Sequence, residues 1–250
     1  MLLLTDLDNT VIFSHRHEVI GKKIWVETLN GHPQSFVLSK VYDYFREQDW
    51  LDVVPITTRT KQQYYRIQSG LEVLGWKDAL ICNGSILLRE GKEDRTWTEE
   101  SIRISETSQP DYIKAYKLAI DLAGEDAIIS ADPFMFYIKT DQTEIVFNTL
   151  SAHVDHSKLT VLRDSRKVYC FPLKLNKGCA AERYRLQTGY EEYIAIGDSE
   201  FDIPMLRNAS FSICPEIISH YETKGKMRVC CGLFSDEICD ELEKIRNEGS

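Results

Sequence analysis

The sequence predicts an α/β protein, a doubly wound parallel sheet of the Rossmann-like type with a smaller α+β module inserted into it. Three observations support this prediction. Short apolar runs at both ends of the chain alternate with helical patterns, which is typical of parallel strands buried on both faces. Several of these runs end directly in Asp or Thr, as strands do at the carboxyl edge of a sheet that carries a site. The middle of the chain has a different pattern of polar and apolar residues, which predicts polar strands and amphipathic helices.

Before residue 85 the patterns predict three core strands, one hairpin and two helices. Leu2-Leu3-Leu4 is wholly apolar and stops at acidic residues, and Asn30-Gly31 lies between two alternating segments, a turn signal suited to a β-hairpin. Ser39 precedes residues at helical spacing and is placed to cap that helix. The predicted elements are a strand at 2–4, hairpin strands at 22–28 and 34–38, a helix at 39–49, a strand at 52–57, a helix at 62–74 that ends at Gly75, and a strand at 79–82.

Residues 85–172 predict the inserted module. Pro110 begins an amphipathic helix and Gly124 follows its end, which is the usual distribution of these two residues. The predicted elements are a polar hairpin pair at 85–100, a helix at 110–123, one or two strands at 127–139, a helix at 143–153, and strands at 159–163 and 167–171. A helix followed by two strands thus occurs twice, and we expect an α+β domain at 85–172 between two core segments, 1–84 and 173–250.

The last third returns to the pattern of the first. Tyr193-Ile194-Ala195-Ile196 is a buried run that breaks at Gly197-Asp198. The predicted elements are a helix at 177–187, a strand at 192–196, a helix at 203–208, a strand at 211–213, a helical turn at 215–223 and a helix at 235–247. Strands and helices that alternate in this way complete a doubly wound sheet.

Composition excludes several classes of function. The 250 residues carry a formal net charge of −9, so a surface that binds nucleic acid or an anionic membrane non-specifically is not expected. The N-terminal apolar run is too short for a signal peptide and no run has the length of a membrane span, so we expect a cytoplasmic protein. Seven cysteines without C-x-x-C spacing indicate reduced thiols, not a zinc site or a disulfide framework.

Polar residues at the predicted strand ends point to one site. The carboxyl ends of parallel strands converge on a common crevice, which would gather Asp6, Asp8, Thr57, Thr58, Asp198 and Asp202, with Lys177 at the start of a helix. Carboxylates ~4 Å apart repel by roughly 4 kcal/mol per pair at an effective dielectric near 20, so the cluster requires a cation. Carboxylate oxygens without His or Cys favour Mg²⁺. Asp6 and Asp8 share one face of an extended chain, so one could attack while the other moves protons.

Four motifs in order resemble the haloacid dehalogenase-like superfamily. Asp6-Leu7-Asp8-Asn9-Thr10 resembles its first motif, and Thr57-Thr58-Arg59 its second. Asn176-Lys177-Gly178 is similar to the lysine motif of the Cof-type and sucrose-phosphatase-like branch, and the segment Gly197–Asp202 to the acidic fourth motif. The inserted module has the position of a type 2 cap, and Asn83-Gly84 resembles the pair that leads into such caps.

The resemblance implies a magnesium-dependent phosphohydrolase. Asp6 would be the nucleophile that forms an aspartyl-phosphate, and Asp8 would protonate the leaving group and then activate water. The metal would be held by Asp6, the backbone carbonyl of Asp8, Asp198 and, as a ligand or a supporting residue, Asp202. The phosphate-binding residues would be Thr57, Thr58, Lys177 and Asn176. The branch usually has Asn at the position of Phe201 and Gly at that of Thr58, and the hairpin at 22–38 resembles an added flap.

The substrate implied is a small phosphorylated metabolite, with a sugar phosphate favoured by analogy with type 2 caps. Two alternatives stay open. One is phosphomutase-type phosphoryl transfer, and the other is a non-catalytic binding domain with a vestigial site. His15, Arg16 and His17 lie just past the nucleophile and are typical of a solvated loop, although a contact with substrate is also open.

Overall fold

The computed structural model describes residues 1–248, so the last two residues of the predicted second core segment lie outside the described part. The first third of the chain contains β1 (Leu2–Thr5), β2 (Phe13–Ser14), β3 (Lys23–Leu29), β4 (His32–Leu38), α1 (Ser39–Glu47), β5 (Asp52–Pro55), α2 (Lys61–Glu72) and β6 (Asp78–Ile81). The middle contains β7 (Ile86–Arg89), β8 (Lys92–Glu93), α3 (Arg95–Glu106), α4 (Gln109–Ala123), β9 (Ile128–Ala131), β10 (Met135–Lys139), α5 (Thr143–His153), β11 (Leu159–Asp164) and β12 (Lys167–Pro172). The last third contains α6 (Lys177–Thr188), β13 (Tyr193–Ile196), α7 (Ile203–Asn208), β14 (Phe211–Pro215), β15 (Lys226–Cys230) and α8 (Phe234–Glu248).

A five-stranded parallel sheet forms the core, in the order β15-β14-β13-β1-β5. Strand β1, which lies between β13 and β5, has no exposed residue because helices cover both faces of the sheet. Leu2 and Leu4 pack with residues of α6 and α7, while Leu3 packs in the cluster that contains residues of α1, α2 and α8. The predicted fold class, a doubly wound parallel sheet, is confirmed.

A second, antiparallel sheet forms the cap domain, in the order β11-β12-β10-β9. Its side chains alternate between two faces. Phe136 and Cys170 pack in the cluster formed with α4 and α5, whereas Tyr137 and Tyr169 belong to the cluster that includes core residues. The cap therefore places one face of its sheet over the core.

The segment 85–106 lies with the core. The predicted hairpin is present as β7 and β8, but residues 95–100 belong to helix α3, which Asp94 caps by accepting a hydrogen bond from the Trp97 amide at 3.1 Å. The buried Trp97 indole donates to the Gly84 carbonyl at 3.0 Å and packs with core residues. We therefore propose that the cap domain begins after Glu106 and not at residue 85.

Two further expectations differ from the structure. Strand β15 at the sheet edge was not predicted, because it is only five residues long and carries two charged residues, Lys226 and Arg228. Ser39 is the first helical residue of α1 and Leu38 takes the capping position without a side-chain hydrogen bond, so the expected Ser39 cap is wrong.

The predicted hairpin before α1 is present. Strands β3 and β4 pair antiparallel around Asn30-Gly31, both of which have positive φ, as a tight turn requires. We call residues 23–38 the flap hairpin. Its ladder shifts register between Trp25 and Glu27 and again before Thr28, which marks a β-bulge.

Candidate active site

The first part of the site is built by the tight turn after β1. The Asp6 amide donates to the Ile196 carbonyl at 2.8 Å, which continues the ladder with β13 past the end of the strand. The chain then turns back, with the Ile12 amide donating to the Leu7 carbonyl at 2.8 Å. Asn9 has φ +63°, a conformation that asparagine tolerates better than most residues. This turn holds the residues just after β1 beside the end of β13.

The acidic cluster lies at that edge of the sheet. Asp6, Asp198 and Asp202 each offer a carboxylate oxygen, and these atoms lie within 4.8 Å of one another. Asp6 is 6% exposed and Asp202 is fully buried. Gly197 is required because a Cβ there would stand 2.3 Å from the Asp202 Cβ. Three residues separated by up to 196 positions are thus brought together, as expected from their places at strand ends.

Lys177 lies inside this cluster. Its Nζ donates to Asp6 Oδ1 and, at 2.6 Å, to Asp202 Oδ1, and the side chain is 1% exposed. Gly178 permits this position because a Cβ there would lie 2.4 Å from the Pro204 carbonyl oxygen, so α6 packs closely on the start of α7. Lys174 is exposed. The geometry therefore supports Lys177 as the lysine of the site.

The cluster has an excess of negative charge, since three carboxylates surround one ammonium group. Burial raises the pKa of Asp6 to about 7, with a further contribution from Asp202, while Lys177 opposes it. Burial and the charge of Asp6 raise the pKa of Asp198 well above its usual range. Burial lowers the pKa of Lys177, but Asp202 and Asp6 outweigh it and leave that pKa raised. A further cation would therefore stabilise the ionised forms of these carboxylates.

The donor set fits Mg²⁺. Asp198 accepts one hydrogen bond, from Thr10 Oγ1 at 3.2 Å, and Asp6 binds Lys177 through one oxygen, so both keep lone pairs for a metal. Asp202 differs, because its Oδ1 binds Lys177 and its Oδ2 accepts from Asp198 N, Ser199 N and Ser199 Oγ at 2.9–3.1 Å. Asp202 thus orients Lys177 and the loop that carries Asp198.

Asp8 stands apart from the cluster and pairs with Arg59. Arg59 Nε and Nη2 donate to the two oxygens of Asp8 at 2.8 and 2.7 Å, a bidentate pair. Burial disfavours the charged form of Asp8, but the charge and the hydrogen bonds of Arg59 outweigh it and hold the pKa of Asp8 below its usual range. The carboxylate of Asp8 is therefore ionised and oriented by Arg59.

The expected phosphate-binding residues occupy different environments. Thr57 is buried at the carboxyl end of β5, and its Oγ1 accepts from the Arg59 amide at 3.1 Å, which leaves its hydroxyl proton free to donate. Thr58 is half-buried and lies beside the Tyr169 hydroxyl of the cap. Asn176 is the N-cap of α6, with Oδ1 accepting from the Cys179 amide at 2.9 Å and Nδ2 donating to the Leu173 carbonyl. The side chain of Asn176 therefore orients the helix that carries Lys177.

The cap covers this edge with aromatic side chains. The Phe201 ring lies 4.9 Å from that of Tyr169 and 6.1 Å from that of Phe171. Phe201 lies within the acidic motif, so the ring at the position of the branch's usual Asn joins core to cap. Tyr137 accepts from Gln63 Nε2 at 2.9 Å, and Lys167 Nζ lies 5.3 Å from the Tyr137 ring.

Three residues of this region were not predicted from the sequence. Arg59 lies within the second motif, which was a usable signal. Glu27 is buried in the flap hairpin, where it binds Arg59, and strand alternation does not reveal it because the bulge places two consecutive buried residues in β3. Lys167 reaches the site only through the docking of the cap. His15 and His17, by contrast, are exposed.

The fold is a capped α/β architecture with a lysine–carboxylate cluster at the carboxyl edge of its parallel sheet. The sequence profile of the haloacid dehalogenase-like hydrolases matches residues 92–216, half of the chain, and the chain belongs to this family. This confirms the resemblance seen in the motifs and the assignment to a hydrolase, the class of enzymes that includes the phosphatases.

Similar solved structures agree with this fold. The sucrose-phosphatase of Synechocystis sp. PCC6803, solved with sucrose and phosphate, shares 18% identity over 99% of this chain and 97% of its own, with a TM-score of 0.63. The subclass IIB sugar phosphatase BT4131 shares 11% over 98% of each chain, with a TM-score of 0.63. BT1666, a phosphatase from Bacteroides thetaiotaomicron, shares 13% over 98% and 94%, with a TM-score of 0.59.

No curated protein matches the sequence. Among residues 1–248, no helix combines the length and the apolar character needed to cross a bilayer.

Proposed function

We propose that this hydrolase is a Mg²⁺-dependent phosphatase of a small phosphorylated metabolite, and that a sugar phosphate is the favoured substrate. The observation that carries the proposal is the cluster of buried Asp6, Lys177 and Asp202 with half-buried Asp198, and Asp8 lies two residues beyond Asp6. A buried carboxylate beside an ammonium group and a metal-binding cluster suits nucleophilic attack on phosphorus.

Asp6 is the nucleophile in this proposal. One of its carboxylate oxygens binds Lys177, and the other is available to attack the phosphorus of the substrate. The bond to phosphorus forms as the ester bond to the leaving oxygen breaks. Lys177 and the Thr57 hydroxyl donate to phosphate oxygens, on which negative charge is concentrated during transfer. Water then cleaves the aspartyl-phosphate and regenerates Asp6.

Asp8 moves the proton. Asp8 takes up a proton from solvent before the first half of the reaction and passes it to the leaving-group oxygen, and in the second half the resulting carboxylate accepts a proton from the attacking water. Its lowered pKa suits the second role, in which it must begin as a carboxylate. The bidentate contact with Arg59 orients its oxygens for both steps.

The metal would be held by Asp6, Asp198 and the backbone carbonyl of Asp8, with Asp202 supporting the arrangement. When bound, Mg²⁺ would neutralise charge on these carboxylates and on the transferring phosphoryl group. The proposed ligands follow from the lone pairs that Asp6 and Asp198 keep beyond their hydrogen bonds and from the full set of partners around Asp202.

The cap supports a sugar phosphate as substrate. Its core-facing side brings Tyr137, Tyr169 and Lys167 to the region of Asp8, where the leaving group must lie. Aromatic rings with hydroxyl groups suit the C–H faces and hydroxyls of a sugar. Two of the structural neighbours are a sucrose-phosphatase and a sugar phosphatase, which is in line with this choice.

A phosphate-release screen tests the proposal directly. The purified protein, with Mg²⁺, is assayed against sugar phosphates, nucleotides, phosphorylated acids and an aryl phosphate. We expect release of inorganic phosphate from the aryl ester and from a subset of the sugar phosphates. Interconversion of phosphate isomers without phosphate release would instead indicate a mutase, and no reaction with any ester would contradict the proposal.

Mg²⁺ is expected to stabilise the fold as well as to support turnover. A ligand present at a hundred times its Kd adds about 2.7 kcal/mol to the free energy of unfolding. For a chain of this size, that raises Tm by about 5–10 °C. Thermal unfolding with Mg²⁺ and with EDTA measures this shift. Asp198→Asn should abolish it, whereas Asp121→Asn, an exposed carboxylate on α4, should retain it. An equal shift in Asp198→Asn would show that the ion binds elsewhere.

Lys167→Met is expected to raise KM for the best sugar phosphate about tenfold, since an interaction of a charged group with substrate is worth about 1.5–3 kcal/mol. Steady-state kinetics measures the change. Lys139→Met is the matched control, because Lys139 pairs with Lys167 across the ladder of β10 and β12 but is exposed. Equal kinetics in the two variants would contradict a substrate contact by Lys167.

A further inference from the structure

Glu27 is a buried carboxylate on the flap hairpin, outside the acidic cluster. It is 5% exposed, and its neighbour Val26 is also buried, because the bulge in β3 interrupts the alternation of the strand. A bulge re-aims a side chain, and here it turns Glu27 toward the core. A buried charge of this kind is retained only with close partners.

Three donors surround Glu27. Ser35 Oγ donates to its Oε2 at 2.6 Å, Arg66 Nε to its Oε1 at 2.8 Å, and Arg59 Nη1 to its Oε2 at 3.3 Å. Burial disfavours ionisation of Glu27, but the hydrogen bonds from Ser35 and Arg66 and the charge of Arg59 leave its pKa lowered. Glu27 is therefore a carboxylate with both oxygens engaged.

Arg59 connects Glu27 to Asp8. The side chain of Arg59 is 11% exposed, and its guanidinium group binds Asp8 along one edge through Nε and Nη2 and Glu27 through Nη1. A planar guanidinium group held by two carboxylates has its orientation set by both. Any displacement of Glu27 would therefore rotate Arg59 and, with it, the carboxylate of Asp8.

We propose that Glu27 is a positioning residue that acts through Arg59 to orient Asp8, and that the flap hairpin thereby sets the geometry of proton transfer. The inference rests on the proposed function, since it concerns the acid–base group of that reaction. It also assigns a role to the added hairpin, whose buried contact with the site is made through this one carboxylate and its serine and arginine partners.

The dependence on leaving group tests this inference. An alkyl phosphate, such as a sugar phosphate, needs a proton on its leaving oxygen, whereas p-nitrophenyl phosphate releases a stable phenolate without one. The value of kcat/KM reports the steps up to formation of the aspartyl-phosphate. General acid catalysis contributes about 10²–10⁴-fold, so a misplaced Asp8 in Glu27→Gln should lower kcat/KM for the sugar phosphate by about 10–100-fold and that for the aryl ester by less than about threefold.

Three variants complete the test. Glu18→Gln, the same change at an exposed position before the hairpin, should leave both substrates unaffected. Glu27→Asp, which keeps the charge, should recover part of the loss. Ser35→Ala removes one hydrogen bond to Glu27 and keeps its charge, so it should show a smaller loss of the same selectivity, about two- to fivefold, even if Glu27→Gln does not fold.

The outcomes separate the inference from the proposed function. An equal loss with both substrates in Glu27→Gln and in Ser35→Ala would show that Glu27 only stabilises the hairpin and would overturn the inference. Wild-type protein without activity on any phosphate ester would contradict the proposed function and this inference with it. A selective loss with the sugar phosphate supports both.

Discussion

Asp6→Asn is expected to lower the turnover of an aryl phosphate by about 10⁴-fold or more, because removal of a catalytic nucleophile has effects of this size. Asparagine keeps the shape of the side chain but cannot form an acyl phosphate that water readily cleaves. The fold should persist, since Lys177 keeps its partner Asp202 in the variant. Phosphate release and thermal unfolding, measured on one preparation, check the two parts of this prediction.

A control variant and a direct measurement of the intermediate complete this test. Asp121→Asn, on the exposed surface of the cap helix α4, should keep full activity. Acid quenching of the wild-type reaction, followed by mass spectrometry of the N-terminal peptide, should detect a phosphate on Asp6. Activity that survives in pure Asp6→Asn, or a phosphate found on another residue, would contradict the assignment of Asp6 as the nucleophile.

Lys177→Met should abolish activity and destabilise the protein. Removal of one partner from a buried ion pair typically costs about 3–5 kcal/mol, because the remaining charges stay buried without compensation. Here Asp6 and Asp202 would be left facing each other. Urea unfolding in EDTA measures the free energy, and the phosphate-release assay measures turnover.

The stability deficit of Lys177→Met should depend on pH in a defined direction. Burial raises the pKa of Asp6 to about 7 even with Lys177 present, and loss of the lysine raises it further. The charged form of Asp6 therefore destabilises the variant at high pH, and the deficit should shrink as the pH falls from that higher pKa toward 7, the range in which Asp6 is protonated in the variant but still ionised in the wild type.

Lys174→Met provides the matched control, since Lys174 precedes the helix by three residues and is exposed. We expect it to resemble the wild type in both stability and turnover. The reverse result, with Lys174→Met inactive and Lys177→Met active, would show that Lys174 and not Lys177 is the phosphate-binding lysine.

Local patterns were sufficient for most of the elements. The runs at Leu2–Thr5 and Tyr193–Ile196 are apolar throughout because both faces of the sheet are covered, and this pattern is visible in the sequence. Helix α3 was missed because Trp97 is a buried residue in a segment of charged and hydroxyl side chains, whose composition indicates a polar hairpin. Its contacts with Gly84 and with core residues decide its place, and these depend on the folded chain.

The acidic cluster could be anticipated for a simple reason. Asp6 and Asp198 each follow a parallel strand, and parallel strands end at one edge, so the sequence position of each residue implies its place in space. The register Thr5 to Ile196 then brings the two carboxylates together. The phosphate-binding roles of Thr57, Thr58 and Asn176 stay predictions.

The amino-acid sequence by itself determined the fold class, the family and the residues that follow the core strands, because strand burial and motif order are local properties of the chain. Tertiary structure alone decided that Glu27 reaches Arg59 and Asp8, that Phe201 meets Tyr169, and that residues 85–106 lie with the core. These contacts depend on a bulge, on the docking of the cap and on helix packing. Each is set by the fit of distant surfaces, which no periodic pattern of side chains encodes.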